Sequence, residues 1–590
     1  MGVRTVYAVL EEAAARFGRA PALHQPCAEA GREKYRVYTW EDYRQAVEEI
    51  ACGLRLLGAG RGDVVALDSE TRAEFYLADL GIMANGSIAA AMYTSLPPEE
   101  SVKTLRTCSP KAVFVENPRV LESLRRAGAH RLSSNWILLT GEAEGAIGLD
   151  RLRREGRDAM RAAPTFFGSI RAGVAEQDPA ILYLTSGATG EPKMGLTTHR
   201  ALVANMDHGP QVLDAGPADR ALAFLPSAHI AQRVVLELAP IPLGLPVWFS
   251  EGLTKLPGEM KDLRPTFFLA PPRLWERIYA SVYAEVRRKP APLRKLFYGA
   301  VGLGLEAARC REEDRPLPAW MKLPLKAAER LVFRRIRARM GGCLRIPASG
   351  AAPLSKDLAR FYSAIGMPLI EGYGLTEGGI VAFNPPARPK PGSIGKLLPG
   401  VEARLAPDGE LLLRSPCLFE GYYNDPAATR EVLRDGWLYT GDIAEVDDGG
   451  YYFITGRKKE LIVSSNGKKI YPSRIEGFFK VEPLINHVVL IGDRLPYLTA
   501  LLTVNAAAAA HGGPSNPQAL LDEVGKAVSR VNQRLAAFEQ IRKFRVLERD
   551  LSIENGELTP TMKVRRGNVI ENFKPLIAEM YAGKSEWLAD

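Results

Sequence analysis

Short apolar runs rich in β-branched residues alternate with longer segments of helical period along the first two thirds of the sequence. Residues 40–58 place their apolar side chains on one helical stripe and end in glycine, and 62–69, GDVVALDS, then predict a strand. A second helical segment at 73–86 precedes the strand-like run SIAAAMYT, and AILYLT at 180–185 continues the alternation. This order predicts the α/β class, with helices layered on mostly parallel sheets.

The chain has 590 residues, too many for a single hydrophobic core, so we expect at least two domains. After about residue 395 turn signals become dense, as at Asp408-Gly409 and throughout 445–476, and these predict antiparallel hairpins. Gly456 is followed by four charged residues. We therefore predict an N-terminal region, 1–456, of α/β subdomains with a small β subdomain, and a small α+β C-terminal domain, 457–590.

Composition excludes several classes of protein. No apolar run approaches the roughly 18 residues that span a bilayer, and the N-terminus lacks the apolar centre of a signal peptide. The six cysteines are scattered without a CxxC pair, and no HExxH occurs, so we expect reduced thiols and no zinc site. These features favour a cytoplasmic protein.

The net charge of +9 is concentrated in residues 281–345, which hold 16 Lys and Arg against 6 Asp and Glu. A basic patch attracts nucleic acid, acidic lipid or a polyanionic cofactor, or is simply a solvated helix face. No nucleic-acid-binding motif accompanies it. The run LVFRRIRARM (331–340) mixes apolar and basic residues as interfacial helices do, which makes peripheral contact with an anionic membrane one interpretation.

The run YLTSGATGEPK, 183–193, has the composition of a phosphate-binding loop placed after an apolar strand. Its spacing differs from the Walker loop, in which Gly-Lys-Ser/Thr follows the first glycine after four residues. A plain Gly/Ser-rich surface loop is the alternative. The candidate phosphate ligands are Thr185, Ser186, Gly187, Thr189, Gly190 and Lys193.

Three later segments carry polar side chains near turns. In LIEGYGLTEGG (369–379), Tyr373 can stack on a base, and Glu377 can hold Mg²⁺ together with substrate phosphates. Asp442 in YTGD can accept hydrogen bonds from both hydroxyls of a ribose, and Lys563 follows a proline-containing loop near the C-terminus. Taken singly, each has a plain alternative: a core aromatic, a hairpin turn and a basic tail.

In this order the segments resemble the adenylate-forming enzymes, the AMP-dependent synthetase and ligase family, from about residue 10 to the end. YLTSGATGEPK is similar to the family's phosphate loop, EGYGLTE to its adenine and magnesium motif, YTGD to its ribose motif, GRKKELI to its hinge and LTPTMK to its catalytic-lysine loop. The long-chain fatty acyl-CoA synthetase branch is indicated by MYTSLPPEE, FLPSAHIAQR, RPTFFLAPPRLWERIY, SGAAPLS and the basic insertion after Tyr279.

The resemblance implies ATP-dependent activation of a long-chain fatty acid to an acyl-adenylate. Transfer to coenzyme A then yields acyl-CoA, AMP and pyrophosphate, with Mg²⁺ as the metal. It also implies that the C-terminal domain is a mobile lid that turns about Lys459.

The residue roles that the resemblance implies fall into six groups. They are phosphate binding by Thr185, Ser186, Gly187, Thr189, Gly190 and Lys193; Mg²⁺ binding by Thr185 and Glu377; the adenine pocket from Gly350, Ala351, Ala352, Glu371, Gly372, Tyr373 and Gly374; ribose binding by Asp442 and Arg457; α-phosphate chemistry at Thr376 and Lys563; and the acyl pocket at His229 with the pantetheine tunnel at Gly467.

Two positions depart from the family pattern. Ala188 stands where the family has Thr or Ser, and Met194-Gly195 where it usually has Gly-Val. We expect a raised requirement for ATP in consequence. The sequence leaves open the same chemistry on a medium-chain, aryl or other acid, and a degenerate, non-catalytic acyl-nucleotide binding protein. Acyl chain length and oligomeric state are not encoded in any motif.

Overall fold

The computed structural model describes residues 4–27, 34–129, 132–133, 135–185, 193–465, 467–505, 516–559 and 562–582. The strands, in chain order, are β1 (Pro21–Pro26), β2 (Tyr35–Thr39), β3 (Val64–Asp68), β4 (Ile88–Ala91), β5 (Ala112–Val115), β6 (Trp136–Leu138), β7 (Ile147–Gly148), β8 (Pro179–Thr185), β9 (Lys193–Thr198), β10 (Ala221–Ala223), β11 (Val247–Phe249), β12 (Phe267–Ala270), β13 (Ile346–Ser349), β14 (Ile370–Leu375), β15 (Gly379–Phe383), β16 (Lys396–Leu397), β17 (Glu402–Leu405), β18 (Glu410–Arg414), β19 (Gly421–Tyr422), β20 (Leu433–Arg434), β21 (Trp437–Val446), β22 (Tyr452–Arg457), β23 (Ile462–Val463), β24 (Lys469–Ile470), β25 (Ile485–Ile491), β26 (Leu498–Val504) and β27 (Ile541–Val546).

The α-helices are Val6–Phe17, Trp40–Leu56, Ala73–Ala84, Pro98–Cys108, Pro118–Arg126, Leu149–Ala162, Phe166–Ala172, His199–Val212, Ile230–Gln232, Pro240–Leu243, Leu256–Leu263, Pro272–Arg287, Ala291–Glu312, Lys322–Ala328, Arg334–Ala338, Lys356–Ala364, Pro426–Val432, Pro472–Phe478, Pro517–Asn532, Arg566–Asn572 and Lys574–Tyr581. Shorter turns of other pitch are the π-helices Arg233–Leu238 and Glu329–Phe333 and the 3₁₀ helices Ala319–Met321, Lys458–Glu460, Phe479–Val481 and Ala537–Glu539.

Two large sheets form the N-terminal region. One has the order β19-β9-β8-β4-β3-β5-β6-β7, and every pairing from β8 to β7 is parallel. The other has the order β16-β15-β14-β13-β12-β10-β11-β1-β2, with a parallel centre from β14 to β1. Strands β3 and β4 are buried along their whole length, and so is the helix between them, Ala73–Ala84. Helices therefore cover the parallel strands, as the alternation predicts, and the α/β class is confirmed.

A five-stranded antiparallel sheet, β17-β18-β21-β20 with β22 on β21, supplies the predicted small β subdomain. Gly409 turns the chain between β17 and β18 with φ of 87°, a backbone conformation that favours glycine. After β22 the chain passes through the 3₁₀ turn Lys458–Glu460 into a smaller α+β unit built on β25-β26-β27. That unit has its own apolar core between the sheet and the helix Pro517–Asn532, which agrees with the predicted C-terminal class.

The run 331–340 of the basic segment forms a helical stretch. Val332, Phe333, Ile336 and Met340 are buried in the core of the N-terminal region, whereas Leu331 is 44% exposed. Most of the large apolar side chains of this run therefore pack into the protein, and contact of the segment with a membrane stays a prediction. Among the helices of the described ranges, none combines the length and the apolar composition that crossing a bilayer requires.

Candidate functional site

The phosphate-loop candidate connects two antiparallel strands, since Thr185 at the end of β8 pairs with Lys193 at the start of β9. The residues between them, 186–192, lie outside the described part of the chain, and they include Ser186, Gly187, Ala188, Thr189 and Gly190. Lys193 is therefore placed at the mouth of the hairpin, where its ammonium group lies 4.9 Å from the ring centroid of Tyr422.

Glu377 is tied to the same corner by an aromatic residue that the motifs did not reveal. The hydroxyl of Tyr422 donates to Glu377 Oε1 at 2.6 Å, and Tyr422 lies in β19, which pairs with β9. Burial, followed by the charge of Glu377, raises the pKa of the Tyr422 hydroxyl. The lysine, the tyrosine and the carboxylate thus form one polar group, in which Tyr422 holds Oε1 of the carboxylate.

Asp442 holds two side chains from different strands. The hydroxyl of Tyr373 donates to Asp442 Oδ2 at 2.6 Å, and Arg457 Nε lies 2.8 Å from Oδ1. Asp442 and Arg457 are directly paired across β21 and β22, and Asp442 N–H donates to Thr440 Oγ1 at 3.1 Å. This arrangement fixes the carboxylate, while a carboxylate retains further lone pairs for the hydroxyls of a ligand. Tyr373 consequently has a hydrogen-bonding role in addition to the ring face predicted from sequence.

Of the predicted adenine-pocket residues, Gly350 to Ala352 follow the carboxyl end of β13, and Glu371 to Gly374 lie within β14, which pairs with β13 in parallel. Ala351 turns the chain after β13 with φ of 69°, which is uncommon for a residue other than glycine. At Gly350, an added Cβ would lie 3.4 Å from the carbonyl oxygen of Gly372. Gly374 approaches the Gly379 carbonyl so closely that a Cβ would stand 2.6 Å from it, so only glycine fits there.

Glu371 is a buried carboxyl beside this turn, which also includes Ala352. Its Oε1 accepts a hydrogen bond from Leu354 N–H at 3.2 Å, and Oε2 has no partner among the described residues. Burial raises the pKa of Glu371 to about 8, against the smaller opposing effect of the Leu354 bond. The Glu371 carboxyl group is therefore protonated at neutral pH and can donate a hydrogen bond, because desolvation disfavours its charged form.

Gly195, one of the two departures from the family pattern, contacts the site directly. A Cβ on Gly195 would stand 3.0 Å from the methyl carbon of Thr376. Because residue 195 has no side chain, Thr376 packs directly against β9, the strand that also carries Lys193.

The C-terminal domain delivers Lys563 to these groups. Lys563 interacts electrostatically with Arg457, Asp442 and Glu377, and with His229 of the N-terminal region. Desolvation between the two domains, then the charge of Arg457, lowers the pKa of the Lys563 ammonium. The side chain still reaches solvent, so it lies in an open cleft and not in a packed core. A cation is thus held opposite the carboxylates of the site.

His229 caps the short helix Ile230–Gln232, and its Nδ1 accepts from Ala231 N–H at 3.1 Å. Burial, with the charge of Lys563 second, lowers the pKa of His229 to about 3. The imidazole is therefore neutral, and its Nδ1 is occupied by the backbone.

The chain matches the model of AMP-binding enzymes over residues 10–423, and the model of the C-terminal domain of those enzymes over 459–585. The chain belongs to the AMP-binding enzyme family. It is 34% identical over 556 residues to the long-chain-fatty-acid–CoA ligase FadD15 of Mycobacterium bovis, covering 91% of this chain and 90% of the relative. It is 27% identical to the long-chain-fatty-acid–CoA ligase ACSBG1 of Rattus norvegicus, covering 98% and 85% of the two chains. The resemblance found in the motifs is confirmed.

The fold of the family is confirmed as well. The adenylation domain of a carboxylate reductase from Mycobacterium chelonae superposes with a TM-score of 0.77 at 21% identity, covering 98% of this chain and 91% of that one. The two domains of this AMP-binding enzyme are therefore those of a known architecture.

Two predicted site residues lie apart from the cleft groups. Lys459 is exposed in the 3₁₀ turn between β22 and β23. Gly467 closes the β23–β24 hairpin with φ of 75°, and no described atom lies within 4 Å of the position of a Cβ there. Their assigned roles as hinge and CoA contact stay predictions.

Two partners in this AMP-binding enzyme were missed from sequence. Tyr422 belongs to a segment without a motif of its own and reaches Glu377 from β19. Thr440 lies in YTGD itself and contacts Asp442 two residues along β21. Among the described residues, no three His, Cys, Asp or Glu side chains converge as a metal cage. A cation here would have to be shared with substrate oxygens.

Proposed function

We propose that the protein is an ATP-dependent ligase that activates a long-chain fatty acid to its acyl-adenylate and transfers the acyl group to coenzyme A. The observation that carries the proposal is the 34% identity to a long-chain-fatty-acid–CoA ligase over nine tenths of both chains. Lys563, Glu377 and Asp442, which face one another across the cleft, argue against a degenerate binding protein.

In the first step the fatty carboxylate attacks the α-phosphate of ATP and pyrophosphate leaves. Negative charge builds up on the α-phosphate, and a preorganised cation stabilises it. Lys563 is the residue placed to do so, because its ammonium is already partly desolvated in the cleft. We assign Thr376 to the same phosphate and Lys193, with the undescribed loop residues, to the β- and γ-phosphates.

The nucleoside would be held by the two polar groups described above. Asp442 and Arg457 would bind the ribose, and Glu371 with the turn Gly350–Ala352 would border the adenine. Tyr373 would position Asp442 through its 2.6 Å hydrogen bond while offering its ring face to the base. His229 would line the acyl pocket as a neutral imidazole.

Mg²⁺ fits the donor set at Glu377, whose Oε2 is not used by Tyr422. Mg²⁺ typically takes one or two carboxylates and completes its coordination with substrate phosphates and water. Bound there with Thr185, it would neutralise phosphate charge. Tyr422 would fix the orientation of the carboxylate toward the phosphates.

In the second step the thiol of coenzyme A displaces AMP from the acyl-adenylate. We propose that the domain that begins at 457 acts as a lid and turns about Lys459 between the two steps, as domain closures commonly do. Gly467 would then line the pantetheine path. The electrostatic interaction of Lys563 with Asp442 and Glu377 supports its assignment to the first step.

We further propose that this is a cytoplasmic protein with peripheral contact to anionic membrane through 281–345. Seven of the 16 large exposed hydrophobic side chains of the described chain fall in this segment, and Trp320 and Leu323 are 69% and 78% exposed. Several cations there form no ion pair with another described residue: Arg287, Arg288, Arg294, Lys295, Lys322, Lys326, Arg330, Arg334 and Arg335. Exposed apolar and unpaired basic side chains together suit an anionic lipid surface.

The test of the proposed activity is formation of CoA esters across a panel of acids of increasing chain length, with aryl acids included. We expect the highest kcat/KM with long-chain acids, and exchange of labelled pyrophosphate into ATP that depends on the acid. Preference for a short or aryl acid would show that the enzyme catalyses the same reaction on a different class of carboxylic acid. Binding of ATP without exchange for any acid would support the non-catalytic alternative.

A further inference from the structure

Arg273 joins the two domains and lies in the segment RPTFFLAPPRLWERIY (264–279), outside the predicted site residues. It lies at the start of the helix Pro272–Arg287, which we call the platform helix. Arg273 Nη1 donates to the backbone carbonyl of Asn486 at 2.8 Å, and Nη2 donates to the side-chain oxygen of the same residue. Asn486 belongs to β25 of the lid, so a single guanidinium grips both the backbone and the side chain across the domain boundary.

A second residue of the platform helix strengthens this contact. Glu276 accepts from Arg273 at 3.0 Å and lies 3.4 Å from the ammonium of Lys480 in the lid. The side chains of Arg273 and Glu276 are only 17% and 10% exposed. Solvent screens such a pair less than a surface pair, and charged hydrogen bonds with little solvent around them are the stronger ones.

On the lid side the contact continues to the hairpin that carries Lys563. The Asn486 amide donates to Asp550, which also accepts from Thr503 Oγ1 at 2.6 Å and from Leu551 N–H at 3.0 Å. Asp550 stands at the base of the hairpin, in which Leu558 is bridged to Val564. Hydrogen bonds therefore link the lid side of the contact to the segment that precedes this hairpin.

Glu557 braces the same hairpin from within the lid. It is fully buried and accepts from both terminal nitrogens of Arg549, at 2.7 and 2.6 Å. Because the hairpin is held at its base, a shift of β25 relative to the platform helix moves Lys563 with it.

We propose that Arg273, with Glu276, is a positioning residue for adenylation: it holds the lid in the arrangement that places Lys563 in the cleft, and it must release Asn486 before the lid turns for transfer to coenzyme A. The inference rests on the proposed two-step function. It predicts opposite consequences for the two steps, because the contact exists in one arrangement of the lid and favours that arrangement alone.

The test is Arg273→Met, which keeps an unbranched apolar stem and removes the guanidinium. Loss of charged hydrogen bonds should shift the balance between lid arrangements by about tenfold. We expect acid-dependent pyrophosphate exchange to fall by about that factor, while thioester formation from preformed acyl-adenylate is unchanged or faster. Arg277→Met is the matched control, since Arg277 is exposed on the same helix and forms no ion pair with a described residue.

Asn486→Ala removes the partner from the lid side and should reproduce the split between half-reactions. The double variant Arg273→Met, Asn486→Ala should lose less than the product of the two single losses, because both remove one shared interaction. An equal loss in both half-reactions, or full additivity, would overturn the proposal and leave Arg273 with a merely structural role.

A distance measurement separates this proposal from the proposed function. Labels at Glu99→Cys and Lys526→Cys, both exposed, report the position of the lid by Förster transfer in a background without Cys27 and Cys343. Arg273→Met should redistribute the transfer efficiency, and Arg277→Met should not, even if no acid is activated. Unchanged Förster transfer efficiency in Arg273→Met would refute the proposed role of the Arg273–Asn486 contact. A redistributed efficiency without enzymatic turnover would refute only the proposed activity.

Discussion

At the scale of the residue, Lys563 is the cation that the C-terminal domain adds to a site containing Asp442, Glu377 and Arg457. We expect Lys563→Ala to lower adenylation about a hundredfold or more, because it removes a preorganised charge from the developing α-phosphate charge. Thioester formation from preformed acyl-adenylate should change little, since the proposed turn of the lid would carry the lysine out of the cleft. The measurement is the rate of each half-reaction. Equal losses in both would contradict the assignment.

Glu371 gives a prediction for pH at the same scale. Burial raises the pKa of Glu371 to about 8, from about 4.5 in the unfolded chain. Between pH 4.5 and pH 8 the folded protein therefore binds one more proton than the unfolded chain. Stability is therefore lost as pH rises through this window, by about 1.4 kcal/mol per pH unit at most. Glu371→Gln removes this dependence. The difference in Tm, variant minus wild type, should rise from pH 5 to pH 8, and a constant difference would show that Glu371 is not buried as a neutral acid.

At the scale of the element, the 3₁₀ turn Lys458–Glu460 connects two units with separate cores. Lys458 is anchored at 2.6 Å to Asp408 and 3.0 Å to Glu410, so we place the proposed rotation at Lys459. Lys459→Pro fixes φ and removes an N–H there. We expect acyl-adenylate to form and its transfer to coenzyme A to fail, with Lys459→Ala as the control. Normal overall turnover of the proline variant would place the hinge elsewhere.

At the scale of the whole molecule, the basic segment is the surface where charge and exposed apolar side chains coincide. Trp320→Ser with Leu323→Ser should weaken binding to anionic vesicles by about tenfold, because it removes the groups that enter the interface and leaves the cations. Leu253→Ser, 59% exposed but outside the segment, is the control. Wild-type binding should fall with salt and be weak on neutral vesicles, as sedimentation would show. Equal binding to anionic and neutral vesicles would show that segment 281–345 is only a solvated surface.

The sequence by itself determined the class of fold and the position of the motifs. Local period predicts a strand such as β3 and a helix such as Ala73–Ala84 because the side chains that face the core recur within a few residues. The glycine of the turn at Asp408-Gly409 is likewise dictated by the backbone of that turn. Such features depend on neighbours in the chain, so they can be deduced without the tertiary structure.

Only the tertiary structure decided which motif touches which. Glu377 meets Tyr422 across 45 residues and Tyr373 meets Asp442 across 69, and neither distance leaves a periodic trace in the sequence. The contact of Arg273 with Asn486 spans 213 residues, and Val332, Phe333, Ile336 and Met340 are buried although their run is amphipathic. Packing between distant elements determines these outcomes, because a side chain's partner depends on how sheets and domains meet in space and not on the residues beside it.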